Sequence, residues 1–476
     1  MKKLCYIAAI CLIALTGCRK RGEEKSNLFY RNLFAYNNMQ NYYLWIDDIA
    51  DAMQGWKQEE PDPVAKVESI RYSADKWTKL LSDASTFESS VSGDGKTFGA
   101  DFALIGESET GIIHLIVRYV YENSPAAKAG LVRGDHFSQI NGQTMTLSNY
   151  QELISSALAN PSTVDLSDGE RTVHLTAAQM YSNPVQTVRT FTAGGKTIGY
   201  LHYTGFTPKS AKNLENAFRT FKNAGVTDLV LDLRYNGGGY TVVATALASM
   251  IAPWNYVNAG RVFTQDIFNS SLISKTEDKD IYAHLAATHD IQDVGTVDAG
   301  SVNLNLPALW VITSGATASA SEALICGLNP YMDVTLVGKK TLGKFCGGYL
   351  IKANDWYDAI AAQKNADKID CDAGKRATEN WGIYVIATRY SDCNGKTLSM
   401  PNGIPAKYDA TDNPLDGYQL GDPQESMLAS TLSRMGVSAD KTPTSVRPRS
   451  LQGSFTPLER PEALIPANSG LYILNK

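Results

Sequence analysis

The stretch Trp310-Val311-Ile312-Thr313-Ser314-Gly315-Ala316-Thr317-Ala318-Ser319-Ala320-Ser321-Glu322-Ala323-Leu324 narrows the possible folds more than any other. An apolar run of strand length passes through a turn of small residues straight into a helical stretch. Such a turn leaves a hydroxyl at a helix N-terminus, where free N–H groups and the helix dipole favour negative charge. Two readings fit this stretch alone: a serine that caps a helix, or a nucleophile whose developing oxyanion the helix amides receive. A second run, Leu229-Val230-Leu231-Asp232-Leu233-Arg234-Tyr235-Asn236-Gly237-Gly238-Gly239, is an apolar strand ending in three glycines, which lets backbone approach a ligand closely. A phosphate cradle would need Lys-Ser/Thr after the glycines, and none follows. A third run, Gly338-Lys339-Lys340-Thr341-Leu342-Gly343-Lys344, places a lysine 25 residues beyond Ser319. A serine hydroxyl attacks only when a base takes its proton, and lysine is such a base only when desolvation lowers its pKa. Lys344, between Gly343 and Phe345, is the candidate for burial; Lys339 and Lys340 read as solvated.

Around these runs the chain alternates strands and helices from about 186 to 436, the pattern of an α/β unit. Ile198–Phe206, Asp228–Leu233, Ala308–Thr313, Val334–Val337 and Gly382–Tyr390 read as strands, and Asn213–Ala224 and Ala320–Leu328 as helices. Residues 28–94 read as a small helical N-terminal domain with a core aromatic cluster at Tyr42-Tyr43-Leu44-Trp45 and a second stretch near Trp77. Residues 95–185 are strand-rich with glycine punctuation. There, Ile112–Val120 reads as a buried strand. Ser124-Pro125-Ala126-Ala127-Lys128-Ala129-Gly130-Leu131 reads as a short helix capped by Ser124 and closed by Gly130, and Asn141-Gly142 as a hairpin turn. This run, on through Gly134-Asp135, resembles the PDZ domains of bacterial envelope proteases. The resemblance implies peptide binding by strand addition and carboxylate capture in backbone amides. It puts Phe98, Gly99, Ala100 and Phe102 at the carboxylate loop, unless that segment is a plain turn. Residues 437–476 hold five prolines among the last forty positions and read as an extended arm.

The three runs, in their order behind a PDZ-like segment, resemble the C-terminal processing, or tail-specific, serine peptidases, whose pattern is DLRxNxGG, SASASE and GxxTxGK. The likeness covers roughly residues 30–435. It implies a crotonase/ClpP-like α/β spiral core with an inserted PDZ domain, and peptide-bond cleavage by a Ser/Lys dyad needing no cofactor or metal. By position it assigns Ser319 as nucleophile, Lys344 as general base, and Gly238 and Ala320 as oxyanion-hole donors. The chain departs from the family where Phe345 follows the lysine, where Gly348 stands in place of a lysine-orienting glutamine, and where Thr317 replaces a serine. The missing glutamine motivates an alternative, a catalytically weak peptidase-like lipoprotein that binds peptides as an adaptor. His202, on a strand near the core, reads as a satisfied core histidine, and Ser321 as helical and turned away from the nucleophile.

Composition sets the setting. In 476 residues, 43% hydrophobic and 20% charged is ordinary for a water-soluble body, and a net charge of −5 gives no basic face for nucleic acid. Lys2 and Lys3 precede a twelve-residue apolar run, Leu4–Leu15, too short to span a bilayer and the length of an export-signal core. Leu15-Thr16-Gly17-Cys18 resembles a bacterial lipobox. It implies that residues 1–17 are a signal peptide and that a lipid on Cys18 anchors the protein to the membrane of the cell envelope, facing the periplasm or at the outer-membrane surface. Residues 18–27 then read as a tether, and signal removal takes the formal charge to −7. Expected partners are unfolded or C-terminal peptide segments of envelope proteins. Cys326, Cys346, Cys371 and Cys393 remain, with no paired CxxC for zinc and three possible disulfide pairings.

Overall fold

The computed structural model describes residues 25–437 except 160, 278–280, 364–368 and 398–400, together with 451, 454–458 and 471–472. The expected signal, Cys18 and most of the tether and arm lie outside the described residues. A six-stranded sheet runs in the order Val185–Ala193, Lys196–Tyr203, Asp228–Asp232, Ala308–Thr313, Asp333–Gly338, Tyr408–Asp409. The first pair is an antiparallel hairpin and every later neighbour is parallel. Parallel neighbours need crossovers, which helices Ser210–Asn223, Thr241–Ile251 and Ala320–Leu328 help supply. Both faces are covered: Leu229, Leu231, Leu309 and Val311 are fully buried in one core with Leu247 and Leu324, and Val230 and Ile312 in another with Met427 and Leu428. The three chemically distinctive runs therefore leave the carboxyl ends of neighbouring parallel strands, which is where open α/β sheets bind ligands.

A second sheet has the order Gly239–Tyr240, Leu471–Tyr472, Cys346–Lys352, Gly382–Asp392, Val262–Phe268, Tyr282–His284, and Lys79–Leu81 also pairs with Gly382–Asp392. The N-terminal helices Asn27–Tyr42 and Pro63–Ile70 do not close a core of their own, contrary to the expectation of a separate helical domain. Their apolar faces meet Trp356, Tyr357 and Ile360 of helix Ala353–Ala361 and Ile383 and Val385 of the second sheet in one cluster. The segment therefore completes the core beneath the second sheet instead of standing as a separate unit.

The PDZ-like segment does have its own core, with Phe98, Phe102, Leu104, Leu115, Phe137, Ile154 and Leu166 inside. Strands Ala100–Glu107, Ile113–Val120 and His136–Phe137 form one sheet; Gln143–Thr144, Gln139–Ile140, Thr163–Ser167 and Thr172–Thr176 form the other. At the hairpin turn, Asn141 (φ 50°) and Gly142 (φ 77°) both take the left-handed conformation that a two-residue loop of this hand requires. Cys326, Cys346, Cys371 and Cys393 are free thiols, so none of the three pairings forms. His202 is fully buried, but neither ring nitrogen has a hydrogen-bond partner. It is an apolar-packed histidine between Tyr119 and Tyr235 rather than a satisfied one. Burial lowers its pKa to about 4 and holds it neutral.

Candidate active site

Ser319 caps helix Ala320–Leu328 with φ 60° and ψ −112°, outside the left-handed well open to L-residues. Such a conformation costs roughly 1–3 kcal/mol and persists only where neighbours hold it. Here the Ser319 N–H donates to Glu322 Oε2 (2.8 Å) and its carbonyl accepts from the Ala323 N–H (2.8 Å). The Oγ itself is fully buried without a hydrogen-bond partner. Ser321 N–H is taken by the Ala318 carbonyl (3.1 Å). The Ala320 N–H, at the first helical position, has no intrahelical carbonyl to receive it and suits an oxyanion.

Glu322 ties the nucleophile to the lysine segment. Its Oε1 accepts from Thr341 Oγ1 (2.6 Å) and Gly343 N–H (2.7 Å), and its Oε2 from the N–H groups of both Ser319 and Lys344 (2.8 and 2.9 Å). Burial pushes its carboxyl up, against these four hydrogen bonds, which favour the charged form. On the other side, the Tyr390 hydroxyl stands 3.4 Å from the carbonyl oxygens of Ser319 and of Lys344. The structure thus brings the main chains of the two predicted catalytic residues together around Glu322 and Tyr390.

Lys344 is buried, with its Nζ 5.1 Å from the Trp77 ring centre and 5.4 Å from that of Tyr384. Desolvation lowers its pKa to about 8, opposed by the neighbouring Cys346, Asp75 and Glu322. Trp77 reaches the site because Asp75 Oδ1 accepts from the N–H groups of Trp77 and Thr78 (2.8 and 3.0 Å), making a tight turn. Thr78 Oγ1 in turn accepts from Ile386 N–H (3.0 Å) on the strand that carries Tyr384. The amine is caged by aromatic faces from the N-terminal segment and the second sheet. At Gly348 a Cβ would lie 2.4 Å from the Val385 carbonyl oxygen, so this backbone has no room for the family's glutamine.

The glycine turn is fixed to the nucleophile turn by Thr317, whose hydroxyl donates to the Leu233 carbonyl (2.8 Å), and by Ser321, whose Oγ donates to the Asn236 carbonyl (3.2 Å). Gly238 N–H donates to Asn236 Oδ1 (2.9 Å), so a substrate oxygen at this donor must displace a bond within the turn. Beneath the turn, buried Arg234 meets Asp232 (2.6 Å), Asp412 (2.8 Å) and Glu425 (2.7 Å). Arg133 of the PDZ-like segment joins the same cluster through Asp412 (2.6 Å) and the Tyr235 hydroxyl (2.9 Å). Burial pushes the Asp412 carboxyl up, but Arg133 and Arg234 more than reverse this and hold it well below the usual range.

At the proposed carboxylate loop, Phe98 and Phe102 are core side chains and Ala100 opens the strand Ala100–Glu107. Gly99 (φ 77°) lies against Ser124, where a Cβ would come within 2.1 Å. Its N–H donates to Thr97 Oγ1 (3.0 Å) and its carbonyl accepts from Ser124 Oγ (3.1 Å).

Residues 197–400 match the model of peptidase family S41, and residues 116–163 that of the PDZ domain. Residues 197–400 form a peptidase family S41 domain. The chain is 27% identical over 285 residues to the chloroplastic carboxyl-terminal-processing peptidase 3 of Arabidopsis thaliana, covering 57% of this chain and 50% of the relative. It is 24% identical over 329 residues to the carboxy-terminal processing protease CtpA of Bacillus subtilis, covering 65% and 59%. The chain thus spans about half the length of the curated relatives it matches. A crystal structure of an S41-protease-type protein from Bacteroides fragilis superposes with a TM-score of 0.63 at 22% identity, over 88% of this chain and 99% of that one, which shows the S41 fold.

Sequence reasoning missed Glu322, Trp77, Tyr384 and Tyr390. Glu322 had a signal, since Ser319-Ala320-Ser321-Glu322 has the S-x-x-E spacing of a capping box. The aromatic residues are brought in by contacts between distant segments and had none.

Proposed function

We propose that this protein is a serine endopeptidase that cleaves extended polypeptide with Ser319 as nucleophile and neutral Lys344 as general base. The observation that carries the reading is the Glu322 bridge, whose carboxylate accepts from the backbone N–H groups of both Ser319 and Lys344 and so ties the turn of a strained, buried serine to the segment of a desolvated lysine. Ser319 Oγ adds to the scissile carbonyl as its proton passes to Lys344 Nζ, and the oxyanion is received by the Ala320 N–H and, once freed from Asn236, the Gly238 N–H. Collapse expels the amine, which takes the proton back from Lys344; water then repeats the sequence on the acyl-enzyme. Arg133 carries the PDZ domain's position to the glycine turn, which supports a role for that domain in presenting protein tails. We assign the protein to the cell envelope through a lipid on Cys18, a proposal resting on residues 1–18. Among the described residues no helix is long and apolar enough to cross a membrane. The test is digestion of an unstructured polypeptide by the protein lacking residues 1–18, read by mass spectrometry. Fragments that vanish with Ser319→Ala support the peptidase. Tight peptide binding with no fragments between pH 6 and 10 makes it an adaptor.

A further inference from the structure

Two short pieces of the C-terminal arm lie where peptides would bind. Phe455–Pro457 adds an antiparallel strand to the outer edge of Ala100–Glu107, with Phe455 opposite Glu107, Thr456 opposite Gly106 and Pro457 opposite Ile105. Ser108 N–H donates to the Ser454 carbonyl (2.9 Å) and Leu458 N–H to the Leu104 carbonyl (3.0 Å), extending the ladder at both ends. Leu458 packs on the PDZ core, and the Phe455 ring meets His114 edge-on at 5.8 Å. The strand runs towards the Phe98–Ala100 turn, the direction in which a PDZ domain receives a tail.

Further along, Leu471–Tyr472 lies between the two catalytic segments. Leu471 is in register with both Gly239 and Gly347, and Tyr472 with both Tyr240 and Gly348. One edge of this strand pairs with Gly239–Tyr240 after the glycine turn and the other with the strand that follows Lys344, and Ser319 is fully buried. A peptidase ready for substrate needs that hydroxyl accessible.

We propose that the arm is a built-in pseudo-substrate: in cis it fills the PDZ edge and the groove between the glycine turn and the lysine strand, and the described state is latent. Its occupant chemistry is extended main chain with a small apolar anchor, so the activating ligand is an unfolded protein tail that displaces the arm. The functional consequence rests on the peptidase reading; the occupancy does not. A tethered segment acts at an effective concentration on the order of 1 mM. An arm whose free peptide binds with a Kd near 0.1 mM would then close the site about tenfold.

The experiment places a site-specific protease sequence within 440–446 of the full chain, lets the protein fold, then cuts and dilutes it. In a Ser319→Ala background, a fluorescent peptide of residues 451–476 should bind the cut protein at least about tenfold tighter than the uncut one. The uncut Leu458→Asp, Leu471→Pro protein should match the cut one, because aspartate loses the apolar seat and proline cannot donate to a ladder. Equal affinity for cut and uncut protein overturns the proposal. With Ser319 restored, cutting should raise peptide cleavage about tenfold and added arm peptide should reverse it. Tighter binding without cleavage of any peptide would uphold the arm and overturn the peptidase reading.

Discussion

Trp77→Ala removes one wall of the cage around Lys344 without touching the dyad. The amine is held at about 8 against an ordinary 10.5, with desolvation the largest cause. That depression corresponds to roughly 3 kcal/mol of destabilised ammonium. At pH 7.5 about a quarter of a lysine of pKa 8 is neutral and able to act as base. If water entering the vacated space moves the pKa up by about one, the neutral fraction falls to about 3%, an eightfold loss. The assay is kcat/KM for a quenched fluorescent peptide from pH 6.5 to 10.5. The variant's profile should keep its shape, shift about one pH unit to the alkaline side, and approach the parent's plateau near pH 10. A loss of the same factor at every pH would mean that Trp77 only packs, and would refute desolvation by this ring as the cause of the lowered pKa.

Four further outcomes follow from the same geometry. Lys344→Met should abolish cleavage yet stabilise the fold at pH 7. The folded pKa lies below the unfolded one, so the lysine's penalty is fully present below about pH 8 and fades as pH rises to 10.5. Urea unfolding should show a gain of up to roughly 3 kcal/mol at pH 7 and none near pH 10.5. Glu322→Gln puts an amide donor against N–H groups that now share one carboxylate; it should lower stability by about 1–3 kcal/mol and cleavage by more than tenfold. Gly348→Gln, which restores the family pattern, should lower the Tm without raising activity, because its Cβ meets the Val385 carbonyl. Arg133→Met strips one of two guanidinium groups from a buried set of carboxylates; it should cost about 3–5 kcal/mol and speed proteolytic nicking between the PDZ and S41 domains.

The parts of this fold that are legible in sequence are those written locally. The strand at Ala308–Thr313 and the helix at Ala320–Leu328 have the expected bounds because an apolar strand-length run, a small-residue turn and a buried helical stretch follow one another without interruption. The Asn141-Gly142 hairpin is legible for the same reason. What sequence reading lacked is everything made by pairing across long separations. Trp77 meets Lys344 from 267 positions away in the chain, and its aromatic stretch reads equally well as ordinary core. The N-terminal helices look like a domain until Trp356 and Tyr357 are seen to complete their core. The strand Cys346–Lys352, rich in glycine at its start, carries no alternation that marks it in sequence. Leu471–Tyr472 shows as an apolar end to a proline-rich arm, with nothing to say that it pairs with Gly239–Tyr240 and Gly347–Gly348. The departures at Phe345 and Gly348 look like damage in sequence, whereas in the structure Phe345 is core and Gly348 is dictated by a neighbouring backbone.

Peptide cleavage by Ser319→Ala, Lys344→Ala and the doubly substituted protein tests the dyad most directly. Two groups that act as one unit give losses that do not add. Each single change should lower kcat/KM at least several hundredfold, and the double should be no worse than the weaker single within about threefold. Wild-type cleavage by either single variant, or losses that multiply in the double, would contradict a Ser319/Lys344 mechanism.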